Sequence, residues 1–325
     1  MSAAHRPEMR CGAAEYNMFF KGQRMPSVTL ITLRDFIRYA VSQFCEHQLF
    51  FGHGTTNAYD EAVSLVLQSL HLPPDQLEPY FDARLLDDEK HLILARIKQR
   101  VSERIPLAYI TNQAFLQGYS FYVDKRVIIP RSFIAEIILN EQLLPWIEHP
   151  ELIHHALDLC TGNGSLATIL ADYCYDATII ASDISDVALE VAAINCNRNH
   201  VADQVALVKS DLFNSLGDYA GQFDLIVTNP PYVDSQRMAS LAREYEYEPG
   251  LALFGGTNGL ELVERILRQA KHYLSEFGVL VVEMGDNRLE IEAAYPDLPF
   301  VWLDTLSGDG FVFVLTRADL QDYFD

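Results

Sequence analysis

The chain is poor in cations. Its 325 residues carry 24 Lys plus Arg against 45 Asp plus Glu, a formal charge of −21 at pH 7. Such an average surface repels phosphate backbones and suits a basic partner. Long apolar runs are also missing: none approaches the roughly 18–20 residues that span a bilayer. The N-terminal stretch holds no apolar segment followed by a cleavage pattern, so no secretory signal is expected. Cysteine is sparse. Cys11, Cys45, Cys160, Cys174 and Cys196 form no CxxC pair, and their odd count would leave at least one thiol unpaired. Reduced thiols, a cytoplasmic location and no metal site are expected. The two tryptophans, Trp146 and Trp302, are read as core. What is present is 49% hydrophobic and 21% charged residues, ordinary for a soluble globular protein with one large or two modest domains.

Residues 1–27 show no periodicity and read as a disordered extension, with Met25 as an alternative start. From Leu33 the pattern becomes helical: Leu33, Phe36, Ile37, Ala40, Val41 and Phe44 lie on one face. His53, between two glycines, reads as a turn residue rather than a ligand. A second helix is expected to start at Asn57, a good cap, with Asp60 and Glu61 in its first turn, and to be over by Pro73-Pro74. A third is expected over about 88–102 with Ile93, Leu94, Ile97 and Val101 as its stripe. Residues 28–106 thus read as a small helical domain. Residues 107–131 read as a β-hairpin linker, because 119–129 alternates and is rich in β-branched and aromatic residues. A helix over about 133–144 should follow, stopped by Pro145. Over residues 132–325 short apolar strands alternate with amphipathic helices. Strands are expected at 153–159, 177–182, 204–209, 223–228, 278–284, 299–304 and 311–316, and the clearest helix at 260–274. This is an α/β pattern: a seven-stranded, mostly parallel sheet covered on both faces, with ligands beyond the carboxyl ends of the strands.

Two motifs carry chemistry. In the first, Leu157-Asp158-Leu159-Cys160-Thr161-Gly162-Asn163-Gly164, an apolar strand runs into a glycine turn and then a helix. Glycine lets backbone approach a ligand closely, and the helix start offers free N–H groups. Asp183 ends the next strand, where a carboxylate can accept from ribose hydroxyls. Gly162-x-Gly164-x-x-Ala167 also matches a dinucleotide fingerprint, so this element alone leaves S-adenosylmethionine and NAD both open.

The second motif, Asn229-Pro230-Pro231-Tyr232, follows the strand Phe223 to Thr228 directly. Proline cannot continue a central strand, so the chain leaves the sheet at its carboxyl edge. An amide or aromatic amine nitrogen is a weak nucleophile with a delocalised lone pair. The Asn229 side-chain oxygen and the Pro230 carbonyl can each accept one hydrogen bond from an NH2 group, fixing it and supporting the charge it gains on methylation. Prolines hold both acceptors without further ordering cost, and Tyr232 offers a flat face for stacking. This motif argues against an NAD-dependent dehydrogenase and against a nucleotide-binding module without catalysis.

At these residues the chain resembles the HemK/PrmC–PrmB family of class I (Rossmann-like) protein-glutamine methyltransferases, from about residue 30 to the end. The resemblance includes Arg104-Ile105-Pro106-Leu107-Ala108-Tyr109-Ile110, Ile128-Ile129-Pro130-Arg131, Glu248-Pro249 and Gly256-Thr257-Asn258-Gly259-Leu260. It is nearer to the branch that acts on ribosomal protein L-three, through Phe51-Gly52-His53-Gly54-Thr55, Asp60-Glu61-Ala62-Val63, Pro130-Arg131-Ser132, Cys160 and Gly308-Asp309-Gly310. It implies S-adenosylmethionine as cofactor, held by Asp158, the turn Cys160, Thr161, Gly162, Asn163 and Gly164, by Asp183 with Ile184, by Asp211 with Leu212, and by Asn229. It implies a catalytic role for Asn229, Pro230 and Tyr232, and a substrate site of these with Pro231 and Arg131. It also implies substrate selection by the helical domain. Asn163 departs from the serine usual in that branch. Arg131 could equally form a solvent ion pair, and Glu244 and Glu246 read as a solvated acidic run. The alternatives are a release-factor glutamine methyltransferase and a nucleic-acid amino-methyltransferase. Against the latter stand the charge of −21 and the lack of a Lys/Arg cluster.

Overall fold

The computed structural model describes residues 30–306 and 308–325, in two compact units: 30–51 with 55–104, and 52–54 with 105–325. The extension read over 1–27, with its alternative start, lies outside the described residues.

The first unit packs three helices, Leu33–Glu46, Ala58–Ser69 and Asp87–Glu103. Thr32 caps the first in a capping box with Asp35, and the Asn57 side chain caps the second by accepting from the Asp60 N–H. The buried faces carry Leu33, Phe36, Ile37 and Phe44, then Ala62, Leu65 and Val66, then Ile93 and Ile97. The third helix departs from its expected stripe. Leu94 is exposed, Val101 is half-buried, and Arg100 is buried at 1% exposure. A charge that deep must be paired. Arg100 Nε donates to Glu61 Oε1 at 2.6 Å, and Nη2 donates to the Phe50 carbonyl at 2.8 Å.

The second unit opens with a short helix, Leu107–Thr111, and a two-stranded hairpin, β1 (Ala114–Leu116) and β2 (Tyr119–Phe121), turning at Gln117-Gly118 with both φ positive. The hairpin expected in the linker 107–131 is thus present but short, its second strand ending at Phe121. Beyond it the backbone bonds to side chains in place of a partner strand. Asn195, fully buried, accepts from the Tyr122 N–H at 2.7 Å and donates to the Tyr122 carbonyl at 3.0 Å. Val123, Val127 and Ile129 are buried. The helix expected over 133–144 covers Ile134–Leu139, because Glu141 turns the chain with φ +55°.

The main sheet has seven strands: β3 (His155–Leu159), β4 (Thr178–Asp183), β5 (Val205–Lys209), β6 (Phe223–Thr228), β7 (Leu274–Glu283), β8 (Val301–Thr305) and β9 (Gly308–Thr316). Their order is β5-β4-β3-β6-β7-β9-β8, parallel except for β9, which runs antiparallel to both neighbours. Successive strand residues face opposite sides. Accordingly Leu225 and Val227 join one core cluster and Ile226 the other. The order reverses between β3 and β6, where the chain has filled one side of the sheet and crosses to the other. That switch opens a crevice at the strands' carboxyl ends. Among the described residues no helix is long and apolar enough to cross a membrane.

Removing one partner of the Arg100–Glu61 pair leaves a buried charge uncompensated. Glu61→Ala should therefore destabilise the helical unit by about 3–5 kcal/mol. Urea unfolding followed by circular dichroism tests this; a loss below about 1 kcal/mol would mean that water reaches Arg100.

Candidate active site

The site is built where β3 and β6 end side by side. Leu159 is in register with Thr228, and the Thr228 hydroxyl donates to the Leu159 carbonyl at 2.7 Å. The next residues, Cys160 and Asn229, begin the glycine turn and the Asn-Pro-Pro-Tyr turn, so register alone brings the two motifs together.

An open cleft lies over these ends. Of the residues expected to hold the cofactor, Cys160, Gly162, Asp183, Ile184, Asp211, Leu212 and Asn229 line it. Asp158, Thr161, Asn163 and Gly164 are buried behind it. These four shape the turn. Asp158 Oδ2 accepts from the Thr161 hydroxyl at 2.5 Å and from the Ala167 N–H at 2.9 Å. Asn163 Nδ2 donates to the Ile128 carbonyl at 2.9 Å, tying the turn to the linker. Gly164, at φ +78°, lies where a Cβ would come within 3.0 Å of Ala192. Burial pushes the Asp158 carboxyl up to about 7 despite its two donors.

Asp183 closes the turn onto the sheet. Its Oδ2 accepts from the Gly162 N–H and its Oδ1 from the Ser185 N–H, both at 2.9 Å. Burial raises its pKa, and these donors oppose the rise. Asp211 accepts from Arg265 Nη2 at 2.9 Å. Arg265 and Arg126 also line the cleft, and the sequence reading missed both. Arg265 lies on the helix Glu261–Ala270, on the side away from its buried stripe, where nothing in the sequence singles it out.

A second cavity of about 130 Å3 adjoins the first and is lined by Arg131, Pro230, Tyr232, Leu241 and Tyr245. Asn229, Pro231, Ile128 and Ala252 line both. The Asn-Pro-Pro-Tyr turn is held from behind. Asn287 Nδ2 donates to the Tyr232 carbonyl at 2.6 Å. At Gly285, φ +51°, a Cβ would stand 2.7 Å from the Tyr232 ring, so only glycine lets that backbone lie against it. Neither Gly285 nor Asn287 was flagged by the sequence. Arg131 is no solvent ion pair: its guanidinium grips Glu248, whose side chain is buried, at 2.5 and 2.7 Å. Glu246 is exposed as expected, but Glu244 is buried at 2% exposure and corrects the solvated reading given to it. The 3-10 turn Arg243–Tyr247 points it inward. Trp146 and Trp302 are half-buried and pack at the edges of the two core clusters.

Glu283, at the end of β7, is buried beneath this wall. It accepts from the Ser132 hydroxyl at 2.6 Å and the Phe133 N–H at 2.9 Å, which fixes the segment after Arg131. Burial outweighs these donors and pushes its carboxyl from 4.5 up to about 7. The folded state thus favours the protonated acid. That contribution is complete below about pH 4.5 and is lost as the pH rises through about 7. Glu283→Gln, neutral throughout, should gain stability relative to the parent as pH rises from about 5 to about 8. Thermal unfolding of both proteins across that range checks this, and a difference independent of pH would contradict it.

Comparison with known proteins agrees with this geometry. Residues 140–244 match the methyltransferase small domain family. A ribosomal protein uL3 glutamine methyltransferase of Neisseria gonorrhoeae is 54% identical over 291 residues, covering 90% of this chain and 96% of that one. The corresponding proteins of Burkholderia pseudomallei and Francisella tularensis are 47% and 43% identical, covering 89% and 91% of this chain and 95% and 93% of theirs. With a glycine-turn cleft and an Asn-Pro-Pro-Tyr pocket that share Asn229 in their walls, and such relatives along nearly its whole length, the chain belongs to the ribosomal protein uL3 glutamine methyltransferases.

Proposed function

We propose that this protein methylates the side-chain amide nitrogen of a glutamine in ribosomal protein uL3, in the cytoplasm. The observation that carries the reading is that Asn229 lines both the cofactor cleft and the neighbouring pocket. A group held by Asn229 in that pocket therefore borders the cleft directly.

The cleft suits S-adenosylmethionine. Each Asp183 oxygen accepts one backbone N–H and keeps a further lone pair for a ribose hydroxyl. Ile184, Leu212 and Asp211 would border the adenine, and Cys160 and Gly162 the methionine part. Bound there, the cofactor supplies an electrophilic methyl group on a sulfonium. In the pocket, Asn229 Oδ1 and the Pro230 carbonyl each accept one hydrogen of the glutamine amide. Fixing both hydrogens orients the nitrogen and would support the positive charge it gains as the N–C bond forms and the methyl–sulfur bond breaks, with S-adenosylhomocysteine leaving as a neutral thioether; the nitrogen would then shed one proton to solvent. Tyr232 and Pro231 confine the side chain, and Arg131 borders it. Positioning supplies much of the rate in such an in-line displacement.

Selection of the protein substrate falls to the helical unit and to residues 233–259. A chain of charge −21 attracts basic ribosomal proteins over long range, without need of nucleic-acid or membrane contacts. That attraction is unspecific, so local contacts choose the glutamine.

Two variants separate the roles. Asp183→Ala should weaken S-adenosylmethionine binding by about 1.5–3 kcal/mol, read by calorimetry. Asn229→Ala should lower turnover far more than cofactor affinity, because the lost acceptor acts on the transition state. Near-normal turnover in Asn229→Ala would reduce the Asn-Pro-Pro-Tyr turn to a structural corner. The substrate itself is tested by competition between free uL3 and a release factor for labelled methyl groups. Label should enter uL3 preferentially, at an initial rate that falls with salt because steering is screened over about 10 Å at 0.1 M. Preferential labelling of the release factor, or of nucleic acid, would overturn the assignment.

A further inference from the structure

Residues 52–54 belong to the catalytic unit, although the chain on either side of them belongs to the helical one. His53 is the middle residue of that short segment and is 6% exposed. Its ring packs on Tyr245, with centroids 4.5 Å apart at 56°, and its Nε2 lies 3.8 Å from Glu248 Oε2. Glu248 is a hub. Besides the two bonds from Arg131 it accepts from the Ile129 N–H at 3.0 Å, so it pins the end of the linker. The Arg131 guanidinium in turn lies 5.6 Å from the Tyr245 ring centroid, within cation–π range. Burial works against ionisation of Glu248. The charge and hydrogen bonds of Arg131 and the hydrogen bond from Ile129 oppose it, and the pKa is left lowered.

These four residues divide cleanly. Arg131 and Tyr245 line the pocket that holds Asn229 and Tyr232; His53 and Glu248 do not, and none of the four lines the cofactor cleft. Tyr245 sits on a short 3-10 turn within an otherwise largely irregular segment. Such a segment has little regular hydrogen bonding to hold a side chain still, so contacts must do so. His53 and Arg131 each place a flat group against Tyr245 while both face the Glu248 carboxylate.

We propose that His53 is a positioning residue for the glutamine pocket: it fixes Tyr245 and Glu248, and through Glu248 the guanidinium of Arg131, as the wall opposed to free movement of the bound side chain. This rests on the reading of that pocket as the glutamine site. A loose wall weakens capture and alignment of the amide while the cofactor cleft stays intact, so the effect falls on the protein substrate alone.

The test compares the full-length parent with His53→Ala and His53→Phe. His53→Ala should lower kcat/KM for uL3 roughly tenfold or more, while affinity for S-adenosylhomocysteine stays within about twofold. His53→Phe, which restores a ring against Tyr245, should recover part of the loss. Hydrogen exchange over residues 241–254 should quicken in His53→Ala, a readout that needs no substrate. Unchanged kcat/KM and exchange in His53→Ala would overturn the proposal, as would an equal loss of cofactor affinity, which would signal general damage. If the parent itself fails to methylate uL3, the substrate assignment falls, and the exchange measurement still decides the role of His53.

Discussion

The pairing of β3 with β6 is the constraint on which the rest of the site depends. Two parallel strands from distant parts of the chain end in register, Leu159 beside Thr228, and each is followed by a sequence that cannot continue a sheet. After β3 the chain takes up left-handed backbone at Cys160 and Gly162; after β6 two prolines force it away. A shift of one residue in this register would move Asn229 off the cleft and turn every core side chain of β6 to the opposite face. The buried apolar clusters on both faces of the sheet forbid that shift, so the core and the active site are specified by the same pairing.

Around that pairing lie carboxylates with divergent roles. Asp158 and Glu283 are buried with raised pKa values and serve as acceptors for backbone N–H and hydroxyl groups, one behind the glycine turn and one beneath Arg131. Asp183 and Asp211 face the cleft. Glu248 is buried but paired with a guanidinium and held ionised. The acidic composition thus has an internal meaning as well as a surface one: carboxylates anchor the loops that a sheet cannot hold. Each is compensated by donors or a cation, as burial in a low-dielectric interior requires.

The sequence made the fold and both motifs legible because these rest on short-range rules. Short apolar runs alternating with amphipathic helices marked the seven strands, glycine at alternate positions marked the turn, and proline after an apolar run marked the exit from the sheet. Cys160, Gly162, Asp183, Asp211 and Asn229 indeed converge on one cleft. What escaped depends on contacts between distant residues. The linker reads as a hairpin because 119–129 alternates, yet its paired strands end at Phe121, and beyond them Asn195, far along the chain, supplies the hydrogen bonds that a partner strand would have made at Tyr122. Arg100 sits in a helix whose apolar spacing pointed to Leu94 and Val101, and partners distant in sequence, Glu61 and the Phe50 carbonyl, explain its burial. His53 and Glu248 are separated by most of the chain, and Asp158 and Asn163, named as cofactor contacts, support the turn from behind. Local pattern shows where the chain turns; it does not show which way a side chain faces once it has turned.

The central claim is that the Asn-Pro-Pro-Tyr turn presents a glutamine amide to the methyl group of S-adenosylmethionine. The most direct measurement is tandem mass spectrometry of purified uL3 after incubation with this protein and isotopically labelled cofactor. The account predicts a single methyl group on the side-chain nitrogen of one glutamine. A label on a lysine or a chain terminus would contradict it, because those tetrahedral nitrogens do not present the planar pair of hydrogens that Asn229 and Pro230 would accept in this account.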